Sequence, residues 1–142
     1  MRRKAEWLFY LKGESSIRPV RVDLTLCTGF FERLTGALVA GSIPFRRAYL
    51  FPGGNSIHTW FMRASISVLT FDESGRILDY RPSIPPFRWY VPHRPAVGLI
   101  ELAPRRIDRA SLSEEGVSVR FPAGIADEAG FESLKYQPPE EQ

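Results

Sequence analysis

Twelve prolines and eleven glycines are strewn along 142 residues without a fixed period. Punctuation of that density stops a helix or strand every few residues, so the chain must be built from short elements joined by turns, and short elements favour strands. The prolines crowd most closely at Pro82, Pro85, Pro86, Pro92 and Pro95. Proline has no N–H to give to a ladder or a helix interior, so residues 82–95 are expected to form a long irregular loop.

Between these breaks the apolar pattern can be read directly. Glu6–Lys12 reads as a short aromatic strand. In Ile17–Cys27, Arg18, Arg21 and Asp23 interleave with Val20, Val22, Leu24 and Leu26 at period two, which predicts one half-buried strand. Thr28 can cap a helix over Gly29–Leu38, where Phe30, Phe31, Leu34 and Leu38 recur at three-to-four spacing. Ala48–Phe51 reads as a strand stopped by Pro52-Gly53-Gly54-Asn55. Ile57–Met62 and Ile66–Phe71 follow, both rich in β-branched and aromatic residues. Asp72-Glu73-Ser74-Gly75 is a turn signal leading into Arg76–Tyr80 as a hairpin. Val97–Leu102 and Gly116–Phe121 are the last strands, with one helical turn between them at Pro104–Ala110.

The fold class implied is mostly β (α+β): a barrel-like or twisted antiparallel sheet with one or two short helices. Residues 1–136 read as a single globular domain and 137–142 as a flexible tail. Hydrophobic residues at 44% suit a packed core and exclude a disordered chain. Trp60, Phe61, Val68, Phe71, Leu99 and Leu102 are expected to share one core.

The net charge of +3 hides an asymmetry. Residues 1–109 carry 17 Lys/Arg against 9 Asp/Glu, and residues 110–142 carry 2 against 7. Sixteen of the 19 basic side chains are arginine. Guanidinium forks match carboxylates and phosphates, so an anion-binding face is one reading; surface arginines paired with local acids is the other. The single cysteine, Cys27, closes an alternating apolar run and reads as a buried structural thiol. Met1-Arg2-Arg3-Lys4 resembles the start of a leader, but Glu6 and Lys12 interrupt the apolar stretch that would have to follow. No segment reaches the ~18 apolar residues of a membrane span. The expectation is a cytoplasmic chain.

The order of motifs carries a resemblance. Glu32-Arg33, Gly36 and Phe51 precede Ile57-His58-Thr59-Trp60-Phe61-Met62-Arg63; then come Ile66–Asp72, Gly75-Arg76-Ile77, Pro86-Phe87-Arg88 and Ile100-Glu101-Leu102. Over roughly residues 18–120 the chain resembles the family catalogued as domain of unknown function 192. That resemblance implies a compact, mostly β fold with short helices, and no established activity, substrate or cofactor. Relatives place a proline and an aspartate where this chain has Ser65 and Ser67. A small-Gly step after the Glu-Leu pair is replaced by Pro104-Arg105.

Candidate site residues follow from chemistry. If Ile57–Met62 is a strand, His58, Trp60 and Met62 share one face and Thr59, Phe61 and Arg63 the other. His58 and Arg63 then either meet a ligand or serve the fold. Arg88, Trp89 and Tyr90 lie in the proline-rich loop, where an arginine beside aromatics either stacks planar ligands or covers a sheet edge. Glu101 sits within an apolar strand and either faces solvent or turns inward to an arginine such as Arg63 or Arg88. Convergence of Arg63, Arg88 and Glu101 is the sharpest expectation, because a lone buried charge is costly and a hydrogen-bonded pair offsets much of that cost.

Nucleophile-elbow, Walker, dinucleotide and His-Glu-x-x-His motifs are absent from the sequence, so no catalytic residue, metal or cofactor is assigned. The functional expectation is a small non-enzymatic binding or protein-interaction domain, accessory to a larger system, using Ile57–Arg63 and Phe87–Tyr90. The alternative is an enzyme or an anion- or carbohydrate-binding protein with a cleft around His58, Arg63, Arg88 and Glu101. Expected partners are a protein or a small anion, with no membrane span and no specific nucleic acid.

Overall fold

The computed structural model describes residues 8–28, 41–53, 57–59, 62–91 and 95–138. The helix expected over Gly29–Leu38, the aromatic pair Trp60 and Phe61, His93 and the last four residues lie outside them.

Alternation of apolar and polar residues makes β1 (Leu8–Lys12) and β2 (Ile17–Arg21) an antiparallel pair, with Phe9 opposite Val20. β10 (Ser118–Arg120) joins the other edge of β1 to give the order β10-β1-β2. The turn between β1 and β2 is clasped by Glu114. Its carboxylate accepts from the Ser15 backbone N–H and from the hydroxyls of Ser15 and Ser16, each at 3.0 Å.

The single strand expected over Ile17–Cys27 is two strands in two sheets. After β2 the chain turns at Val22 and enters β3 (Asp23–Leu26) in a five-stranded sheet of order β3-β4-β9-β6-β7. The period-two pattern hides the corner because Val22 is itself buried in the core alongside Val20, Leu24 and Leu26. The other strands of this sheet are β4 (Arg47–Pro52), β6 (Ile66–Phe71), β7 (Ile77–Ile84) and β9 (Gly98–Leu102). β3 and β4 run parallel and the remaining pairs antiparallel, so the sheet is mixed and open rather than a closed barrel. A two-stranded ribbon of β5 (Ile57–His58) and β8 (Trp89–Tyr90) completes the described strands.

The proline-rich stretch also departs from expectation. β7 runs on through Pro82 to Ile84, and β8 lies inside the segment read as irregular. Proline is tolerated there because β7 is an edge strand. The ladder with β6 is also irregular beside it, between the pairs Ile66–Ile84 and Val68–Arg81. Of the strand expected over Ile57–Met62, Ile57 and His58 lie in β5, whereas Thr59 and Met62 lie outside any strand. The hairpin at Asp72–Gly75 forms as expected: the Asp72 carboxylate accepts from the backbone N–H and hydroxyl of Ser74 and from the Arg76 N–H.

A helix missed in the sequence, α1 (Ala123–Ala129), follows Pro122 and ends at Gly130, whose φ of 80° is the left-handed C-terminal cap. It closes the space between the two large sheets. Phe9, Phe71, Phe121 and Phe131 meet there, with Phe71 5.6 Å from Phe121 and 5.5 Å edge-on to Phe131. Gly98 is required at this point, because a methyl group on it would overlap the Phe71 ring.

The expected single core is divided by the sheet. Phe71 and Leu102 point to the face covered by β10-β1-β2 and α1, whereas Val68 and Leu99 point to the opposite face with Cys27, Tyr49, Phe51, Met62 and Tyr90. Strand parity is the cause, since neighbouring residues on one strand face opposite sides.

Candidate functional site

The opposite face of the sheet and the ribbon beside it carry the candidate residues. On β9, Glu101 lies between Tyr49 of β4 and Val68 of β6, both uncharged, with Arg81 of β7 next in the row beyond Val68. Only 7% of its surface is exposed, and burial pushes its carboxyl up to about 7. Among the described residues no ion pair reaches it.

Tyr90 of β8 is also buried on this face. Its hydroxyl donates to Oδ2 of Asp79 at 3.0 Å, and the Arg81 guanidinium lies 5.8 Å from its ring centroid. Burial first, and then the Asp79 carboxylate, push the phenol up to about 12. Tyr90 is therefore a packed and hydrogen-bonded member of the core rather than an open contact residue.

Thr59 organises the loop that precedes β8. It is fully buried, its hydroxyl donates to the Pro85 carbonyl at 2.7 Å, and the same oxygen accepts the Arg88 N–H at 3.0 Å. Its backbone adds two bonds, N–H to the Arg88 carbonyl and carbonyl from the Phe87 N–H, both at 2.9 Å. Held in this way, Phe87 adopts a φ of 61°, in the left-handed region that a bulky L-residue seldom enters. Phe87, Trp89 and Val91 are 64%, 63% and 64% exposed, so this segment displays three large apolar side chains within five residues.

The three charged residues expected to converge do not share a contact. Arg63 is exposed; its backbone N–H donates to the Gly41 carbonyl at 2.7 Å, and its side chain lies beside Gly41. Arg88 is exposed and turns back on its own chain, with Nη1 donating to the Phe87 carbonyl at 3.2 Å. Glu101 tolerates burial by holding its proton near neutral pH, not by pairing with either arginine. His58 is placed by its backbone opposite Trp89 in the ribbon.

Ser67, standing where the resembled family carries an aspartate, is fully buried and donates to the Ala103 carbonyl at 2.7 Å. It ties β6 to the turn after β9. In that turn Arg105 takes the place of the small-Gly step and has a φ of 54°.

Sequence reasoning missed Thr59 as the organiser of the loop, although threonine followed by an aromatic run was visible. It also missed Phe45, which is 63% exposed with the Arg106 guanidinium 4.0 Å from its ring centroid. An open groove of about 270 Å³ lies elsewhere, lined by Lys12, Arg120, Lys135 and Tyr136 among others. Lys135 there is committed to Asp127 and Glu132, at 2.7 and 2.8 Å.

No protein-family model matches the chain. Over 92 residues it is 31% identical to the UPF0127 protein of Thermococcus sibiricus (strain DSM 12597 / MM 739), covering 61% of this chain and 59% of that one. The match thus spans less than two-thirds of the relative. Among solved structures, a protein of Sinorhizobium meliloti 1021 described provisionally as a transcription regulator superposes with a TM-score of 0.67 at 16% identity, covering 80% of this chain and 92% of that one. A protein of unknown function from Novosphingobium aromaticivorans DSM 12444 gives a TM-score of 0.65 at 11% identity, with coverages of 80% and 84%. These two likenesses establish a shared fold. No helix among the described residues is long and apolar enough to cross a membrane.

Proposed function

We propose that the protein is a non-enzymatic interaction domain, accessory to a larger system, and that the Phe87–Val91 segment is its contact surface. The observation that carries this reading is Phe87. Its φ of 61° is one that glycine or asparagine would take at less cost, while its ring is 64% exposed and so contributes little burial. A bulky residue kept in a strained, exposed position is best explained by a contact outside the fold. Trp89 and Val91 widen the apolar surface, Arg88 adds a charge at its rim, and the rigid Thr59 clasp limits the entropy lost on binding.

The motif order further supports placing the chain with the domain of unknown function 192 proteins, whose Pro-Phe-Arg element falls on Pro86–Arg88.

A photo-crosslinking residue at position 89 in living cells, followed by reconstitution with the purified crosslinked protein, tests the proposal. Phe87→Gly and Trp89→Ser should each weaken the reconstituted complex at least tenfold while leaving the melting midpoint unchanged. Undiminished binding by both variants would sink it.

The alternative reading, a ligand cleft around His58, Arg63, Arg88 and Glu101, keeps its support at Glu101 alone, whose carboxyl is raised by burial to about 7, the property required of a general acid or base; Arg63 and Arg88 do not pair with it.

A further inference from the structure

One end of the five-stranded sheet gathers arginine from three separate stretches of chain. β3 and β4 begin there in parallel, with Asp23 opposite Arg47, and β9 ends there, with Leu102 opposite Ala48. Arg21 closes β2 immediately before this end, Arg46 immediately precedes β4, and Arg105 and Arg106 follow β9 within four residues. The contacts confirm that these stretches meet. Arg106 donates from Nε to the Phe45 carbonyl and from Nη2 to the Arg21 carbonyl, both at 2.9 Å, and the Asp23 N–H donates to the Arg46 carbonyl. Asp23 lies 3.9 Å from Arg47. Arg21, Arg46 and Arg105 are exposed, and no ion pair is formed by any of them among the described residues.

Phe45 stands in the middle of this cluster. Arg106 covers one face of its ring at 4.0 Å and fixes its backbone, yet 63% of the residue remains exposed. A guanidinium packed on one face leaves the other presented as a flat, immobilised platform. Arg105 reaches solvent from a backbone φ of 54°; Phe87 and Arg105 are the two non-glycine residues with positive φ among those described. Strain is thus retained here too at an exposed side chain.

We propose that this arginine end is a binding surface for single-stranded nucleic acid, read through its phosphates and one stacked base and without sequence preference. Guanidinium forks match phosphate oxygens, and a lone aromatic platform among them suits a splayed base, which stacks whatever its identity. A lipid surface fits less well, because one clamped ring offers little apolar area to insert. The surface shares no residue with the Phe87–Val91 segment, so either proposal stands or falls alone.

Fluorescence anisotropy of a labelled 20-nucleotide oligo-dT with the full chain provides the test. Engagement of three or four phosphates predicts an affinity about 20- to 50-fold weaker at 200 mM than at 50 mM salt. The double variant Arg46→Glu/Arg105→Glu should bind at least tenfold more weakly. Lys12→Glu/Arg76→Glu changes the net charge equally at the other end of the molecule and should stay within about twofold of wild type. Phe45→Ala should cost about tenfold on oligo-dT and little on a duplex of equal length. Equal losses in both double variants would reduce the effect to net charge and overturn the proposal. So would wild-type affinity in Arg46→Glu/Arg105→Glu, duplex binding as tight as oligo-dT, or preferential binding to phosphatidylserine vesicles. Circular dichroism melts of each variant separate loss of binding from loss of fold.

Discussion

On one face of the five-stranded sheet, Phe71, Ile100 and Leu102 meet Phe9, Phe121, Ile125 and Phe131; on the other, Leu99 shares its side of the strand with Glu101 and lies opposite Thr70. Both faces are buried, and the same strands build them. The first is closed by a second sheet and a helix, and its polar tip, the Tyr80 hydroxyl, is satisfied at the rim by exchanging bonds with the Ile107 backbone at 2.8 and 3.1 Å. The second buries a carboxyl at its centre and keeps a tyrosine–aspartate bond at its edge. Equal burial is therefore not equal chemistry. The first face holds the fold, and the second carries a proton near neutral pH on the side where Tyr90 of the ribbon is buried.

The comparison breaks most violently at Phe71. Its ring touches Phe121, Phe131 and the glycine at 98, so Phe71→Ala leaves a cavity that rigid neighbours cannot fill. A loss of about 3–5 kcal/mol is expected in urea unfolding. A loss below about 1 kcal/mol would mean that the two faces do not differ in packing as described.

Glu101 should behave in the opposite sense. Its carboxyl sits at about 7 in the folded chain against an ordinary value of 4.5, so folding favours the protonated form. At pH 4 both states are largely protonated and the group costs little. As pH rises from 4.5 through 7 the unfolded chain ionises first, and stability falls by an amount approaching about 3 kcal/mol above pH 8. Glu101→Gln should remove that slope and stabilise the protein at pH 8 while leaving it nearly unchanged at pH 4. Parallel stability curves for the two proteins between pH 4 and 8 would show that the carboxyl is not held this way.

Thr59→Val probes the junction between the ribbon and the sheet. The valine is close in shape but deprives the Pro85 carbonyl of its donor and the Arg88 N–H of its acceptor. A cost of about 1–3 kcal/mol is expected, along with faster proteolytic cutting between residues 85 and 91. Unchanged proteolysis would mean that the clasp does not hold the loop.

Much of this was legible in the sequence, and the failures have physical causes. β6 was read to the residue because all its positions except Ser67 are apolar or β-branched and it ends at an unmistakable turn. The corner at Val22 was invisible because a buried bend preserves alternation. Pro82 misled because proline excludes a central strand but not an edge, and edge position is a property of the whole sheet. α1 was missed because only two of its seven residues, Ile125 and Ala126, are buried, too few for a helical period. For the site, the sequence correctly singled out Glu101 as a charge in apolar surroundings. It expected a partner where the structure instead raises the carboxyl's proton affinity, an outcome no pattern of residue types distinguishes. The arginine end was present as an excess of charge, but its location depends on which strand ends coincide.

The smallest expected effect on stability is the most informative about function. Phe87→Gly relieves a left-handed φ that costs a bulky residue about 1 kcal/mol, and it sacrifices little burial because the ring is 64% exposed. Against this, glycine adds about 0.5–1 kcal/mol of backbone freedom to the unfolded chain. The two terms nearly cancel, so the melting midpoint should move by no more than the equivalent of about 0.5 kcal/mol. A destabilisation near 2 kcal/mol would reveal that Phe87 is packed within its own molecule, and the reason for proposing the Phe87–Val91 segment as a contact surface would vanish. Near-neutrality would leave the strained ring without a role in the fold, and its retention would then have to be sought in what it touches beyond the chain.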